Sequence, residues 1–145
     1  MKNNIYRRLL KTSLVLVYLV ILAGAVVRMT GSGMGCPDWP KCFGFFIPPT
    51  EETALLWAPN KVFAQGQMII HDESLWTANA DFVSGASLDL GNFTRYTKHD
   101  YAVFNATHTW TEYINRLIGA LAGLAVLLTA VYSVFAFKQD KKIIL

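Results

Sequence analysis

The sequence predicts an all-α membrane protein: a two-span transmembrane helical hairpin whose helices are joined by a long exported loop. Three observations support this class. Only 16% of the 145 residues are charged, against about 25% in a typical soluble domain. Two long segments carry no charged residue, and basic residues flank both on their outer sides. The net charge of +3 is small and no basic stripe is present, which argues against nucleic acid as a partner.

The first apolar segment, residues 12–28, is the predicted transmembrane helix 1. Its uncharged part is slightly shorter than the roughly 20 residues that a spanning helix needs. Leu9 and Leu10 extend it, and the stem of Lys11 can lie along apolar surface while its ammonium stays in water. A basic start and the small residues Ala23 and Ala25 also fit a cleaved signal peptide. The apolar run is longer than the usual ~7–15 residues of such peptides, so we expect an uncleaved span.

The second uncharged segment runs from Leu117 to Phe137 and lies within residues 110–137, the predicted transmembrane helix 2. Basic residues cluster before the first span and after the second, whereas those between the spans are spread over a longer sequence. The positive-inside rule therefore places the N-terminal segment 1–11 and the C-terminal segment 138–145 in the cytoplasm. We expect a multi-pass protein of the cell (cytoplasmic) membrane with residues 29–109 as an exported loop. The clustered residues are Lys2, Arg7, Arg8, Lys11, Lys138, Lys141 and Lys142.

The exported loop is predicted to be mostly irregular, with short elements. It opens on a glycine-rich run at 30–35 that a helix tolerates poorly, and Pro48 and Pro49 are further breakers. Residues 61–70 fit either a short helix or a strand. The many aromatic residues of the loop argue against simple disorder and could pack on the membrane surface or cover a site.

Cys36 and Cys42 are the two cysteines of the chain, and both lie in this loop. On the oxidising side of a membrane a disulfide is the default state. We expect the disulfide to close a short loop and to be exposed, and hence to be easily reduced. It could be a structural clip or a redox-active pair. Two cysteines alone do not complete the tetrahedral shell of a zinc site.

A stripe of polar and small residues runs along the predicted second helix. Glu112 and Asn115 share one helix face with Gly119 and Gly123, and the two glycines allow another helix to approach closely. An ionisable residue that faces inward at a membrane helix end is a functional candidate. The alternative is a capping box, in which Thr109 is the N-cap and Glu112 is the N3 residue.

His108 lies just before that proposed cap. If the helix begins one turn earlier, His108 shares the face of Glu112 and could bind a metal ion or a haem iron. The alternative is a hydrogen-bonding polar residue at a membrane interface. His71 and His99 lie in parts of the loop without a recognisable pattern.

Two motifs carry a resemblance to a known family. Residues 28–42, RMTGSGMGCPDWPKC, resemble the opening of the first exported loop of haem A synthase. Residues 112–119, EYINRLIG, are similar to that family's second-helix motif, Glu-x-x-His-Arg-x-x-Gly. The first motif is long and specific, and the second gains weight from its place after the loop.

The resemblance implies an eight-helix membrane enzyme of two four-helix halves, of which this chain matches the first quarter. It implies oxidation of the C8 methyl of haem O to a formyl group, which gives haem A for terminal oxidases, with haem b as cofactor. Glu112 matches the essential glutamate and Cys36 and Cys42 match the loop pair. Arg116 matches the motif arginine, whose cation could pair with a haem propionate.

Two departures from the family pattern stand out. The motif histidine, an iron ligand in the family, is Asn115 here, and an amide is a poor axial ligand. His108 could replace it only if the helix starts early. Two spans also cannot enclose a haem, so the resemblance implies further transmembrane helices of the same or a companion chain. The alternatives are a non-catalytic protein that binds haem or assists oxidase assembly, and a membrane-anchored thiol redox protein.

The uncleaved first span is directly testable. We expect the membrane-inserted protein to keep its N-terminal residues, because the apolar run exceeds the length of a signal-peptide core. N-terminal sequencing of the mature protein measures this. A sequence that begins near Val26 would show that the first segment is removed.

Overall fold

The computed structural model describes residues 2–98 and 103–137. It contains two long helices, α1 (Lys2–Thr30) and α2 (Ala106–Phe137), with short strands between them. The chain divides into two compact units. The helical unit comprises residues 1–26 and 114–145, and the loop unit comprises residues 27–113. His99 and the predicted cytoplasmic segment 138–145 lie outside the described residues.

Both helices are long and apolar enough to cross a membrane, over Asn3–Thr30 and Ala106–Ala136. They extend beyond the predicted spans, because α1 begins well before residue 12 and α2 begins before residue 110. Helix α1 ends where Gly31 adopts a left-handed conformation with φ of 68°, which is a common way for a helix to stop.

The helical unit contains a polar contact between the two helices. The hydroxyls of Ser13 and Thr129 lie 2.9 Å apart and both residues are buried. Thr129 Oγ1 also donates to the carbonyl of Ala125 at 2.8 Å, so Ser13 is the donor to Thr129. Such interhelical bonds contribute about 0.6 kcal/mol on average in a membrane. Most large apolar side chains of both helices are exposed in the chain, as expected of surfaces that face lipid or further helices.

The loop unit contains two small antiparallel sheets, so the all-α class describes the two helices but not the loop. The first sheet pairs β1 with β4, and the second has the order β2-β3-β5. The strands are β1 (Val62–Phe63), β2 (Met68–His71), β3 (Ser74–Ala78), β4 (Phe82–Val83) and β5 (Phe93–Arg95). Residues 61–70, whose sequence fits either a short helix or a strand, therefore form parts of two strands.

The sheets were difficult to predict because their strands are short and one turn lacks the usual signal. The β2–β3 hairpin turns at Asp72 and Glu73, which have φ of 46° and 53°. Such turns normally use asparagine or glycine, since positive φ strains other residues. No glycine marks the hairpin in the sequence.

Two hydrophobic clusters form the core of the loop unit. One contains the cysteine pair with Phe43, Leu55, Met68 and Leu75. The other contains Phe63, Ile69, Ala78 and Phe93. In the second cluster the rings of Phe63, Phe82 and Phe93 lie 5.3–5.5 Å apart. Many aromatic residues of the loop therefore pack into its core, in agreement with the argument against disorder, whereas Trp39 and Phe46 remain exposed.

A tight turn at residues 42–45 joins the cysteine pair to the sheet. Cys42 and Phe45 exchange two backbone hydrogen bonds of 2.8 and 3.1 Å. Between them Gly44 has φ of 81°, and a Cβ there would overlap the backbone of Gly66 and Gln67. Only glycine satisfies both constraints.

We expect Gly44→Ala to destabilise the loop unit by about 2 kcal/mol or more, because it combines a strained φ with backbone overlap. Gly85→Ala is the matched control, since an added Cβ there meets nothing within 4 Å. Denaturant unfolding followed by tryptophan fluorescence in detergent measures both changes. Equal midpoints for the two variants would contradict this account of the turn.

Candidate functional site

The start of helix α2 lies directly against the backbone of the glycine-cysteine segment. The Cys36 N–H donates to Glu112 Oε2 at 2.9 Å, and Thr109 Oγ1 donates to the Gly35 carbonyl at 2.9 Å. Cys36 Sγ lies 3.7 Å from the Thr109 carbonyl oxygen. We call these four residues, Gly35, Cys36, Thr109 and Glu112, the loop–helix clamp. All four are buried.

The absence of a side chain at Gly35 permits this approach. A Cβ at this position would lie 2.6 Å from the carbonyl carbon of His108 and 2.8 Å from the Thr109 nitrogen. These atoms are helix backbone and cannot move aside without disturbing α2. The glycine run of the loop is therefore not only a flexible connection, because Gly35 is required where two backbones meet.

Cys36 and Cys42 are joined by a disulfide, with their Cα atoms 4.8 Å apart. The expectation that this disulfide is exposed is wrong, since the two residues are 4% and 0% exposed. The clamp covers one cysteine and the first hydrophobic cluster covers the other. Burial of this kind limits access of a reducing thiol, because exchange requires direct attack on a sulfur atom.

Two further polar contacts hold the segment between the cysteines. Asp38 Oδ2 accepts from the Gly44 N–H at 2.9 Å, and the Tyr96 hydroxyl donates to the Pro37 carbonyl at 2.7 Å. Burial, with a smaller contribution from the Asp38 charge, raises the pKa of Tyr96 above its ordinary value. The phenol therefore keeps the proton that it donates.

The capping-box interpretation of Thr109 and Glu112 is wrong. Helix α2 begins at Ala106, and Asn105 Oδ1 accepts from the His108 N–H at 3.1 Å, as an N-cap side chain does. Thr109 lies inside the first turn, and its hydroxyl donates to Gly35 instead of capping. Glu112, 8% exposed, lies in the second turn and accepts from Cys36.

His108 lies within α2, one turn before Glu112 and half-buried. The early helix start that its ligand role requires is therefore present. Asn115 follows Glu112 by three positions, and its buried Oδ1 has no hydrogen-bond partner within 2–98 and 103–137. The same holds for the indole Nε1 of Trp110. Arg116 lies one turn after Glu112 and is half-buried.

The glycine positions further along α2 are open. An added Cβ at Gly119 or Gly123 would meet no described atom within 4 Å. The close helix approach that these glycines permit is thus not made by α1. Across the described ranges, no group of three His, Cys, Asp or Glu side chains could hold a metal ion, so an iron site at His108 remains a prediction.

The structure therefore brings Glu112 together with Cys36 and, through the disulfide, with Cys42. Sequence reasoning missed Gly35 and the true role of Thr109. It also missed Asn105, although Asn-x-x-His-Thr before an apolar run is an acceptable helix start. The spacing of Thr109 and Glu112 matches a capping box more closely, so the sequence favoured a helix start at Thr109 over one at Asn105.

Comparison with known proteins gives partial matches. A family model described as cytochrome oxidase assembly protein (COX15-CtaA) matches residues 7–82. A Heme A synthase of Shewanella oneidensis is 49% identical over 47 residues, which cover 32% of this chain and 14% of that relative. One from Shouchella clausii is 39% identical over 64 residues, 42% of this chain and 21% of the relative.

A longer match reaches both helices. A Heme A synthase of Ehrlichia ruminantium is 23% identical over 128 residues, which cover 88% of this chain and 29% of that relative. The chain thus spans less than a third of the length of the curated relatives described here. No solved structure matches it.

We expect Gly35→Ala to break the clamp and expose the disulfide, because the new methyl group would overlap the backbone of α2. The rate at which dithiothreitol reduces the folded protein, followed by alkylation and mass spectrometry, should rise about tenfold or more. Gly33→Ala is the control, since its Cβ would meet Val27 at an ordinary 3.7 Å. Unchanged reduction in Gly35→Ala would refute the close approach.

Proposed function

The chain belongs to the cytochrome oxidase assembly (COX15-CtaA) family, and on that basis we propose that it is the N-terminal portion of a haem A synthase. The proposed reaction is oxidation of the C8 methyl group of haem O to a formyl group. The observation that carries the proposal is the buried Glu112 carboxylate, which accepts from the Cys36 N–H at the start of an apolar helix. Both residues belong to the two motifs that resemble the family's, and Cys36 also lies within the segment that the family model matches.

The reaction requires a group that accepts protons. Conversion of a methyl to a formyl group takes one oxygen atom from water and releases four protons and four electrons. The four electrons require an oxidant, and the resemblance implies haem b as the cofactor that would supply this redox chemistry. Glu112 is the proposed proton acceptor, since a carboxylate held in fixed geometry inside protein can serve as a general base.

The residues near Glu112 fit a haem. Haem, when bound, supplies the redox-active iron. His108 and Asn115 lie on the same helix stripe as Glu112, and Asn115 carries an orphaned buried oxygen. Gly119 extends the stripe, and an added Cβ there would meet no described atom within 4 Å, so this position would not obstruct a ring bound along the stripe. His108 is the proposed iron ligand and Arg116 the proposed partner of a propionate, because its guanidinium has five donors.

We further propose that both termini lie in the cytoplasm and that the loop unit is exported, in a multi-pass protein. The buried disulfide of the loop unit supports this, since such bonds persist on the oxidising side of a membrane. The buried position also favours a structural clip over a freely exchanging redox pair. The clip would hold Cys36, and with it the N–H that orients Glu112.

One observation favours a second candidate, a haem-binding membrane protein that assists oxidase assembly without catalysis. Asn115 occupies the position of the family's motif histidine, and an amide is a poor ligand for haem iron. If His108 does not compensate, the chain could hold haem without oxidising it. Haem content and haem A formation, measured in the same sample, separate the two candidates.

We expect Glu112→Gln to lower haem A formation by about 100-fold or more in the complete protein, because glutamine retains an acceptor oxygen for Cys36 but cannot take up a proton. Thr109→Val is the control, since it removes a clamp hydrogen bond and keeps the carboxylate. Haem content and the disulfide should persist in both variants. Full haem A formation by Glu112→Gln would reject the catalytic role.

A further inference from the structure

The turn that carries Cys42 has an exposed apolar outer end. Trp39, Phe46 and Ile47 are 76%, 71% and 69% exposed, although the neighbouring Phe43 is almost fully buried. The three residues flank the open end of the turn at 42–45, and we call them the outer patch. Other apolar side chains of the loop unit, such as Val62 and Val83, are also exposed, but the outer patch places three of them, two aromatic, within nine residues.

The basic and acidic side chains near the outer patch point in different directions. Segment 39–47 contains one charged residue, Lys41, whose Nζ lies 5.0 Å from the centre of the Phe46 ring. The adjacent acid, Asp38, is turned inward and accepts from the Gly44 N–H. The outer end of the turn is therefore apolar with a basic group beside an aromatic ring. Lysine and aromatic residues in this combination are typical of the membrane–water interface.

The position of the outer patch along the chain points to the same interface. The uncharged part of α2 begins at Leu117 and must fill the hydrocarbon core. The preceding turns, with Trp110 and Tyr113 in edge-to-face contact, then lie at the depth of the lipid headgroups. The Cys36 N–H donates a hydrogen bond to Glu112, which lies in these turns. Trp39, three residues later, can be at most about 11 Å from Cys36.

We propose that the outer patch is a membrane anchor of the loop unit, which inserts Trp39, Phe46 and Ile47 among the headgroups and upper acyl chains of the surrounding phospholipid. Lys41 contacts the lipid phosphates. The occupant is lipid, because Trp39 lies within about 11 Å of Cys36, which is hydrogen-bonded to helix turns expected at the interface, and because the charged group beside the patch is a cation. The proposal is independent of any haem chemistry.

The anchor would have a mechanical effect. The outer patch and the clamp are joined through the disulfide, since Cys36 belongs to the clamp and Cys42 to the turn. Lipid insertion on one side and the clamp on the other would hold the segment at a fixed height above the bilayer. The orientation of the Cys36 N–H toward Glu112 would then be supported from both sides.

Quenching of tryptophan fluorescence by brominated phosphatidylcholine tests the proposal in the intact chain reconstituted into vesicles. A chain with Trp57, Trp76 and Trp110 replaced by Phe reports on Trp39 alone, and a second chain retains only Trp76, in strand β3. We expect Trp39 to lose at least about twofold more of its emission than Trp76, as befits an interfacial side chain. Equal quenching, or none at Trp39, overturns the anchor.

A second pair of variants keeps the test valid if a tryptophan replacement disturbs the sheets. Phe46→Ser with Ile47→Ser should reduce quenching of Trp39, whereas Val62→Ser with Val83→Ser should not. Val62 and Val83 are a facing pair of similarly exposed side chains on β1 and β4. A slow rate of disulfide reduction by dithiothreitol, followed by alkylation and mass spectrometry, verifies folding of each variant. Emission that shifts only when another protein is added, without lipid quenching, would assign the patch to a protein partner and reject lipid.

Discussion

The meeting of two backbones at Gly35 is the constraint on which the rest of the site depends. Because Gly35 has no side chain, the loop backbone reaches the first turn of α2, and a Cβ there would lie 2.6 Å from His108 backbone. That approach brings the Cys36 N–H within 2.9 Å of the Glu112 carboxylate. The same approach covers Cys36, so the burial of that cysteine and the position of the carboxylate have one cause, whereas the first hydrophobic cluster covers Cys42.

The clamp also changes how Glu112 should be understood. A glutamate in the first turn of a helix can be explained by helix capping alone, but here Asn105 has that role. Glu112 instead satisfies a buried backbone donor from a segment 76 residues earlier in the chain. Removal of a buried acceptor costs about 1–3 kcal/mol. Glu112 thus has a structural contact, and substitutions must separate that contact from its charge.

The two helices could be predicted from the sequence because a long uncharged run has few alternative structures. The start of α2 could not be predicted, since Asn105 is a weaker sequence signal for a helix N-cap than the Thr109–Glu112 spacing. The sheets of the loop were not predicted because two-residue strands are too short to show alternating apolar and polar residues. Asp72 followed by Glu73 is also not a pair typical of a tight turn with positive φ. The motifs identified Glu112 and Cys36 as candidates, but their direct contact depends on a long-range approach that no local pattern encodes. The exposure of the disulfide was predicted wrongly for the same reason.

The separation along the chain between the members of the clamp has a consequence for biosynthesis. The disulfide closes over a sequence separation of 6, so both cysteines emerge from the ribosome close together. Glu112 is synthesised much later, and contacts between distant residues form more slowly than local ones. The two cysteines are therefore both available for pairing before Glu112, which covers Cys36 in the folded chain, has been synthesised. The sequence order thus leaves the cysteines accessible while the bond forms, and the contact with α2 limits access to it afterwards.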